Sequence, residues 1–406
     1  MPGLLGGFGN NKNSFPFLLS LSTAYCQNIF FFFFSKLPWS NLNFSSCRQK
    51  NNNFIYKLNE NIKLNNKYNF AKFSTQKDYS DLFIINLLRS KFGPYLAGLI
   101  EGNGTIALHE PNSTKNYNPK IIIVFKKADL PLANYLQNIT KCGTVWIKPD
   151  RGYVLWQIQD IVSVYTIIYI INGLMRTPKI EALNRAIVWL NNYILKYYKN
   201  NDKLLENSDP RIKLIINKIS SLEIKPLDES PLDTNAWLAG FTDADGNFSI
   251  NIHKRTNKNS TRVQLYYRLE INQNYHKLDL NKNKVSYFPI ISQIGLFLGV
   301  TVYSRSRIIK DKTYYSFTVM SSNKSSNSIV SNYFYKYPLL SSKLLDFKDW
   351  AFILKLQNTN KLTTSYLDRA IEIRSDFNKT RTTFVWDHLK FNCYESCFSE
   401  SNLKKE

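Results

Sequence analysis

Trp237-Leu238-Ala239-Gly240-Phe241-Thr242-Asp243-Ala244-Asp245-Gly246 matches an earlier stretch of the same chain, Tyr95-Leu96-Ala97-Gly98-Leu99-Ile100-Glu101-Gly102-Asn103-Gly104. Leu96 and Leu238 stand 142 residues apart, about one domain, so the chain carries two copies of one unit. Each copy begins as an apolar helical turn and ends in Gly104 or Gly246, where a helix-terminating residue belongs. Each then enters a strand. After Gly246, Phe248, Ile250 and Ile252 alternate with Asn247, Ser249, Asn251 and His253, the period of a strand buried on one face only.

The segments that follow repeat as well. In the second half Val263, Leu265, Tyr267, Leu269 and Ile271 alternate with Arg262, Gln264, Tyr266, Arg268, Glu270 and Asn272. Thr301, Tyr303, Arg305 and Arg307 share one face of a third strand, and Tyr314 to Met320 forms a fourth. The first half offers strands at 105–109, 119–126, 143–148 and 153–159. Helices are expected at 128–140 and 160–173, then at 286–298 and 325–336. Each half therefore reads helix, two strands, helix, two strands, helix. The expected sheet is antiparallel, with an apolar inner face and a basic, aromatic, amide-rich outer face in both halves.

Composition sets the partner class. The 406 residues hold 53 Lys and Arg against 30 Asp and Glu, a net charge of +23. Such an excess suits a polyanion, because each phosphate neutralised by Lys or Arg releases a condensed counterion. An aromatic content of 15% excludes a wholly disordered basic tail. Five scattered cysteines make no disulfide framework, which points to a reducing or mitochondrial-matrix setting. His388, Cys393 and Cys397 lack a fourth ligand and zinc spacing, and the remaining histidines form no metal pair.

The termini read differently from the middle. Residues 15–35 are largely apolar but diluted by Ser20, Ser22, Thr23, Gln27 and Asn28. They read as a processed or translated leader rather than a working membrane anchor. Residues 40–80 are rich in Asn and Lys and read as a polar linker. The expected organisation is a leader and linker over 1–80, a first repeat over 88–196 and a connector over 197–234. A second repeat over 235–390 and a polar tail over 391–406 complete it. Within the connector, Ile212 to Ile219 is a short helix candidate, and Asp233, Thr234 and Asn235 are candidate N-caps for the second motif helix.

The paired motif resembles the two-motif LAGLIDADG family of intron-encoded homing endonucleases and RNA maturases. Leu238 to Gly246 departs from the family name at only two positions, and the likeness covers roughly residues 91 to 390. The resemblance implies an α+β fold of two pseudo-symmetric αββαββα repeats in one chain. Each would carry a DNA-facing antiparallel saddle sheet, and the two would pack through their motif helices. Small residues there, Ala97 with Gly98 and Ala239 with Gly240, would let two backbones approach closely. The first ten residues, Met1-Pro2-Gly3-Leu4-Leu5-Gly6-Gly7-Phe8-Gly9-Asn10, look like a segment of cytochrome c oxidase subunit one. An exon fragment fused to an unrelated frame is what an intron-encoded mitochondrial protein looks like.

The resemblance also implies a site. Each motif helix delivers its terminal carboxylate towards DNA, where hydrolysis needs Mg²⁺ or another divalent cation with hard oxygen ligands. The metal role falls on Asp245 in the second copy and on Asn103 in the first, with Ala244 and Gly102 beside them. Asn103 is the main departure, because an amide is a neutral ligand. Glu101, two positions earlier, does not share its helix face and is a poor substitute. Lys179 and Lys343, each just before the last helix of its half, look like the family's active-site lysines. Gln273 looks like its water-positioning residue, with Lys127 as the first-half counterpart. The expected nucleic-acid contacts are Asn247, Ser249, Asn251, Arg262, Gln264, Tyr266, Arg268, Tyr303, Arg305 and Arg307.

The leading reading is a monomeric homing endonuclease in the mitochondrial matrix, cutting double-stranded DNA at the intron insertion site. Replacement of an acid by Asn103 leaves open nicking of one strand, slow cleavage or loss of cleavage. The runner-up is a maturase that binds its own group I intron RNA. A membrane-attached protein anchored by residues 15–35 accounts for neither the repeat nor the charge.

Overall fold

A computed structural model describes residues 85–108, 118–198, 210–255, 260–278, 283–359 and 364–390. The leader, the whole polar linker and the tail lie outside them, as do Cys26, Cys47, Cys393 and Cys397. Among the described residues no helix is long and apolar enough to cross a membrane.

The first half opens with motif helix α1 (Gly93–Asn103), whose early Pro94 replaces an amide that would have no helical partner. Strands β1 (Gly104–Ala107) and β2 (Lys120–Lys126) follow, then helix α2 (Leu130–Thr140). Strands β3 (Thr144–Lys148) and β4 (Tyr153–Ile158) lead into α3 (Ile161–Ile171) and α4 (Ile180–Tyr198). Helix α5 (Pro210–Lys218) lies in the connector, close to the expected span. The second half repeats the order with motif helix α6 (Trp237–Asp245), β5 (Gly246–Arg255) and β6 (Ser260–Asn272). A short ribbon, β7 (Asn274–Leu278) with β8 (Lys284–Ser286), precedes α7 (Phe288–Leu298). Strands β9 (Val302–Ile309) and β10 (Lys312–Ser321) are followed by α8 (Lys324–Lys336), α9 (Lys343–Asn358) and α10 (Thr364–Ser375).

The two four-stranded sheets have the same antiparallel order, β1-β2-β4-β3 and β5-β6-β10-β9. Their registers also correspond, since Gly104 pairs with Ile123 where Gly246 pairs with Leu269. Inner faces are apolar. Ile121, Ile123, Phe125, Val154, Trp156 and Ile158 are buried in the first half. In the second, Phe248 packs its ring against Tyr267, Phe334, Phe347 and Trp350. Symmetry extends to the caps: Asp160 accepts from Ser163 N at the start of α3, as Asn323 accepts from Ser326 N at the start of α8, both at 2.8 Å.

The αββαββα order is present in both halves, and the β7–β8 ribbon and helices α4, α9 and α10 are additions to it. Gly104 and Gly246 end the motif helices in extended backbone (φ −93° and −77°), not in the left-handed region. Glycine is needed there for space: a Cβ at Gly104 would sit 2.6 Å from Ile100 O, and one at Gly246 would sit 2.9 Å from Thr242 O. None of the three candidate N-caps occupies that position, which falls to Ala236; Asn235, one residue earlier, accepts from Trp237 N at 3.0 Å, and Asp233 and Thr234 belong to a preceding 3-10 turn.

Candidate active site and nucleic-acid face

The site is built where the two motif helices cross. A Cβ at Gly98 would run into the Trp237 carbonyl, and one at Gly240 into the Tyr95 carbonyl. The backbones touch reciprocally, as the small residues Ala97, Gly98, Ala239 and Gly240 require. Gly102 continues the contact: a Cβ there would strike Ala244 and stand 3.1 Å from Asp245 Oδ2. The Asp245 carboxylate thus rests against the end of the opposite helix, one residue from Asn103. Asp245 is exposed and Asn103 half-buried.

The earlier acid of each motif has a different task. Glu101 is buried, and its carboxylate accepts from Arg176 N (2.9 Å), Thr177 N (2.6 Å) and Trp237 Nε1 of the other motif helix. Asp243 is its mate: it accepts from Leu340 N (2.7 Å), the Ser341 hydroxyl (2.5 Å) and Tyr95 Oη of the other motif helix (2.7 Å). Tyr95 and Trp237 occupy equivalent positions, so each half anchors the other's helix by the same device. Burial pushes both carboxyls above the ordinary range, and these hydrogen bonds pull them back. Both carboxylates are consumed in holding the loops that precede α4 and α9. Asp129 adds a further tie between halves, accepting from Ser342 N at 2.8 Å.

Those two loops deliver the lysines. Lys343 Nζ donates to the carbonyls of Thr242, Asp243 and Ala244 at 2.8–3.0 Å. Lys179 Nζ donates to Ile100, Glu101 and Gly104 at 2.5–3.1 Å and reaches Gly102 O at 3.4 Å. Each ammonium therefore sits at the carbonyl end of a motif helix, where the helix dipole favours a cation. Burial lowers the pKa of both, and Asp245 is among the charges that raise it again. Although Asp245 reaches solvent, the crowded helix ends around it partly desolvate its carboxyl and raise its pKa, with Lys343 and then Lys179 acting against this.

Other expected residues divide. Gln273 follows β6 and its side chain donates to Ser304 Oγ at 2.7 Å, which turns it towards β9. Lys127 is exposed in a 3-10 turn after β2. Its neighbour Lys126 lines a pocket with Asn103, Asp129 and Lys343, a role the sequence reading missed. His388 Nε2 lies 3.0 Å from Leu340 O. Among the described residues no three His, Cys, Asp or Glu side chains cluster as a metal site. The donors brought together at the helix ends are oxygens alone.

All ten expected nucleic-acid residues fall on one face of the second sheet. Pairing aligns Asn247 with Arg268, Ser249 with Tyr266, Asn251 with Gln264, and His253 with Arg262. Across the same face Thr318 stands between Glu270 and Tyr303, and Ser316 between Asn272 and Arg305. Arg307 donates to both oxygens of Glu270 at 2.7 and 2.8 Å. The expectation of a matching outer face in the first half holds for its basic flanking row and fails at its central row. Where the second sheet carries Glu270-Thr318-Tyr303, the first carries Val124-Leu155-Trp146. Where the second has Asn272-Ser316-Arg305, the first has Lys126-Tyr153-Lys148.

Comparison with other proteins follows the same duplication. The sequence profile of the LAGLIDADG endonucleases matches residues 96–190 and 238–354, one match in each half. The chain is 41% identical over 407 residues to the intron-encoded DNA endonuclease aI3 of Saccharomyces cerevisiae, covering 96% of this chain and 81% of that protein. It is 30% identical to an uncharacterized cox1 intron-2 37.2 kDa protein of Schizosaccharomyces pombe, over 69% of this chain and 71% of the other. Among solved structures, the I-LtrWI LAGLIDADG homing endonuclease bound to target DNA shares the fold. It has a TM-score of 0.50 and 16% identity, over 72% of this chain and 100% of that one. With crossed motif helices, two like-ordered sheets and family matches over more than half its length, the chain belongs to the LAGLIDADG endonuclease family.

Proposed function

We propose that the chain is a monomeric, site-specific homing endonuclease that hydrolyses phosphodiester bonds in a long double-stranded DNA site, cutting one strand in strong preference to the other. Its place of action is the mitochondrial matrix, and its site is the intron insertion point of the oxidase gene suggested by Met1 to Asn10. One observation carries the reading: the crossed helices present an acid, Asp245, on one side and an amide, Asn103, on the other.

The oxygen donors at the helix ends suit a hard divalent cation, Mg²⁺ foremost. Asp245 would hold it as the charged ligand, Asn103 as a neutral one, with the main-chain carbonyls of Ala244 and Gly102 beside them. When bound, the ion polarises the scissile phosphate and eases deprotonation of a water. The protein's own part is separable. Lys179 and Lys343 fix the helix ends and offset the charge of Asp245, while the sheets take up the duplex through phosphate and base-edge contacts.

A supercoiled plasmid bearing the intronless junction, incubated with Mg²⁺, tests this. Open circles accumulating well ahead of linear product are expected. Linear product formed without an open-circle stage contradicts the strand preference, and no reaction contradicts the nuclease reading. The second reading, a maturase assisting its own group I intron, rests on the same Asn103 replacement. Binding of the intron RNA with no cleavage of DNA would favour it.

A further inference from the structure

The two outer sheet faces occupy equivalent places in the fold and differ in chemistry. In the second half this face offers Arg268, Gln264, Asn247 and Asn251, groups that read base edges by hydrogen bonds. At the central row of the first half stand Val124 and Trp146, 43% and 49% exposed, with half-buried Leu155 between them. Ile122 is next on the same face, paired with Thr105 and Gln157. None of these four apolar side chains donates or accepts a hydrogen bond at a neutral oxygen or nitrogen of a base, apart from the indole of Trp146. The flanking row on one side, Lys126-Tyr153-Lys148 with both lysines exposed, is basic and suits a phosphate backbone beside the apolar row.

The one apolar group that a duplex presents in its major groove is the C5 methyl of thymine. We infer that the first sheet reads thymine methyl groups, so the recognition site is chemically split: an A·T-dependent half-site on the first sheet and a hydrogen-bonded half-site on the second. This rests on the DNA-binding reading above. It also gives the first sheet a means to reject RNA, since uracil carries no C5 methyl. The same face would otherwise leave large apolar side chains open to water without a partner.

The test changes the DNA and leaves the protein intact. Randomised duplexes are selected by cleavage with the full chain, and thymines in each half of the recovered site are replaced by uracil separately. In one half each contacted thymine replaced is expected to weaken binding about fourfold, the worth of one buried methyl-sized group. The other half is expected to be insensitive. Val124→Asn combined with Trp146→Gln should remove most of the uracil penalty, whereas Arg268→Ala should weaken binding and leave that penalty in place. Equal sensitivity of both halves, sensitivity of neither, or a penalty that follows Arg268→Ala overturns the inference while leaving the nuclease reading intact. Recovery of no duplex at all overturns both.

Discussion

Tyr95 Oη donates to Asp243 Oδ2 at 2.7 Å, so a phenol from the first motif helix is held by a buried carboxylate of the second. Glu101 accepts from the Trp237 indole in the mirrored contact. Both halves are therefore locked through their motif helices and, through Leu340, Ser341, Arg176 and Thr177, to the loops that position Lys343 and Lys179.

Removing one donor from such a carboxylate leaves the charge less well satisfied. Tyr95→Phe is expected to lower stability by about 1–3 kcal/mol. A double-mutant cycle with Asp243→Asn, followed by thermal unfolding, should return a coupling of about 1 kcal/mol or more. Additive effects would show that the contact carries nothing between the halves.

The helix crossing is limited by backbone, not by flexible side chains. Gly98→Ala or Gly240→Ala is expected to cost about 3 kcal/mol, because the added methyl meets a carbonyl that cannot swing aside. Denaturant unfolding measures it, and a loss below 1 kcal/mol would mean that the helices part easily.

The second half was more legible than the first, for a physical reason. In β6 polar and apolar residues alternate, so periodicity identified the outward set from Arg262 to Asn272 correctly. In β2 the run Lys-Ile-Ile-Ile-Val-Phe-Lys is apolar at every internal position, and no alternation marks which side chains face out. The apolar outer face was hidden for that reason. The motif acids were legible in part. The family resemblance pointed to Asp245 and Asn103, and helix spacing set Glu101 apart, but only the tertiary fold brings Trp237, Tyr95 and the two loop amide pairs onto the earlier acids. The β7–β8 ribbon was obscured by a short, polar and irregular pairing with a register shift.

His388 gives the fold a measurable pH dependence. Burial lowers its pKa below the ordinary value of 6.5, with Lys348 adding to the effect and Leu340, Asp243 and Asp387 opposing it. Its contribution is present above pH 6.5 and is lost as pH falls through the depressed value, because the unfolded chain then binds a proton that the folded one refuses. Melting temperature should fall on acidification from pH 7, and His388→Asn should flatten that part of the curve. An unchanged curve in the variant would assign the dependence elsewhere.

Glu270 restrains the basic face. It binds Arg307 at 2.7 Å and lies 3.6 Å from Arg305. Glu270→Gln is expected to tighten non-specific DNA binding and to steepen the dependence of log K on log salt by about 1. Discrimination among sites should fall as affinity rises. Titration of random-sequence duplex at several salt concentrations measures both, and an unaltered slope would count against phosphate contact by these arginines.

The central claim is that one carboxylate serves one strand and that Asn103 leaves the other poorly served. Each strand of a duplex carrying the intronless junction is end-labelled with a different fluorophore, and cleavage is followed in Mg²⁺ for the natural chain, Asn103→Asp and Asp245→Asn. The natural chain is expected to cut one strand at least tenfold faster than the other, Asn103→Asp to bring the slow strand towards the fast one, and Asp245→Asn to cut neither. Equal rates on both strands by the natural chain, unchanged by Asn103→Asp, would contradict the account.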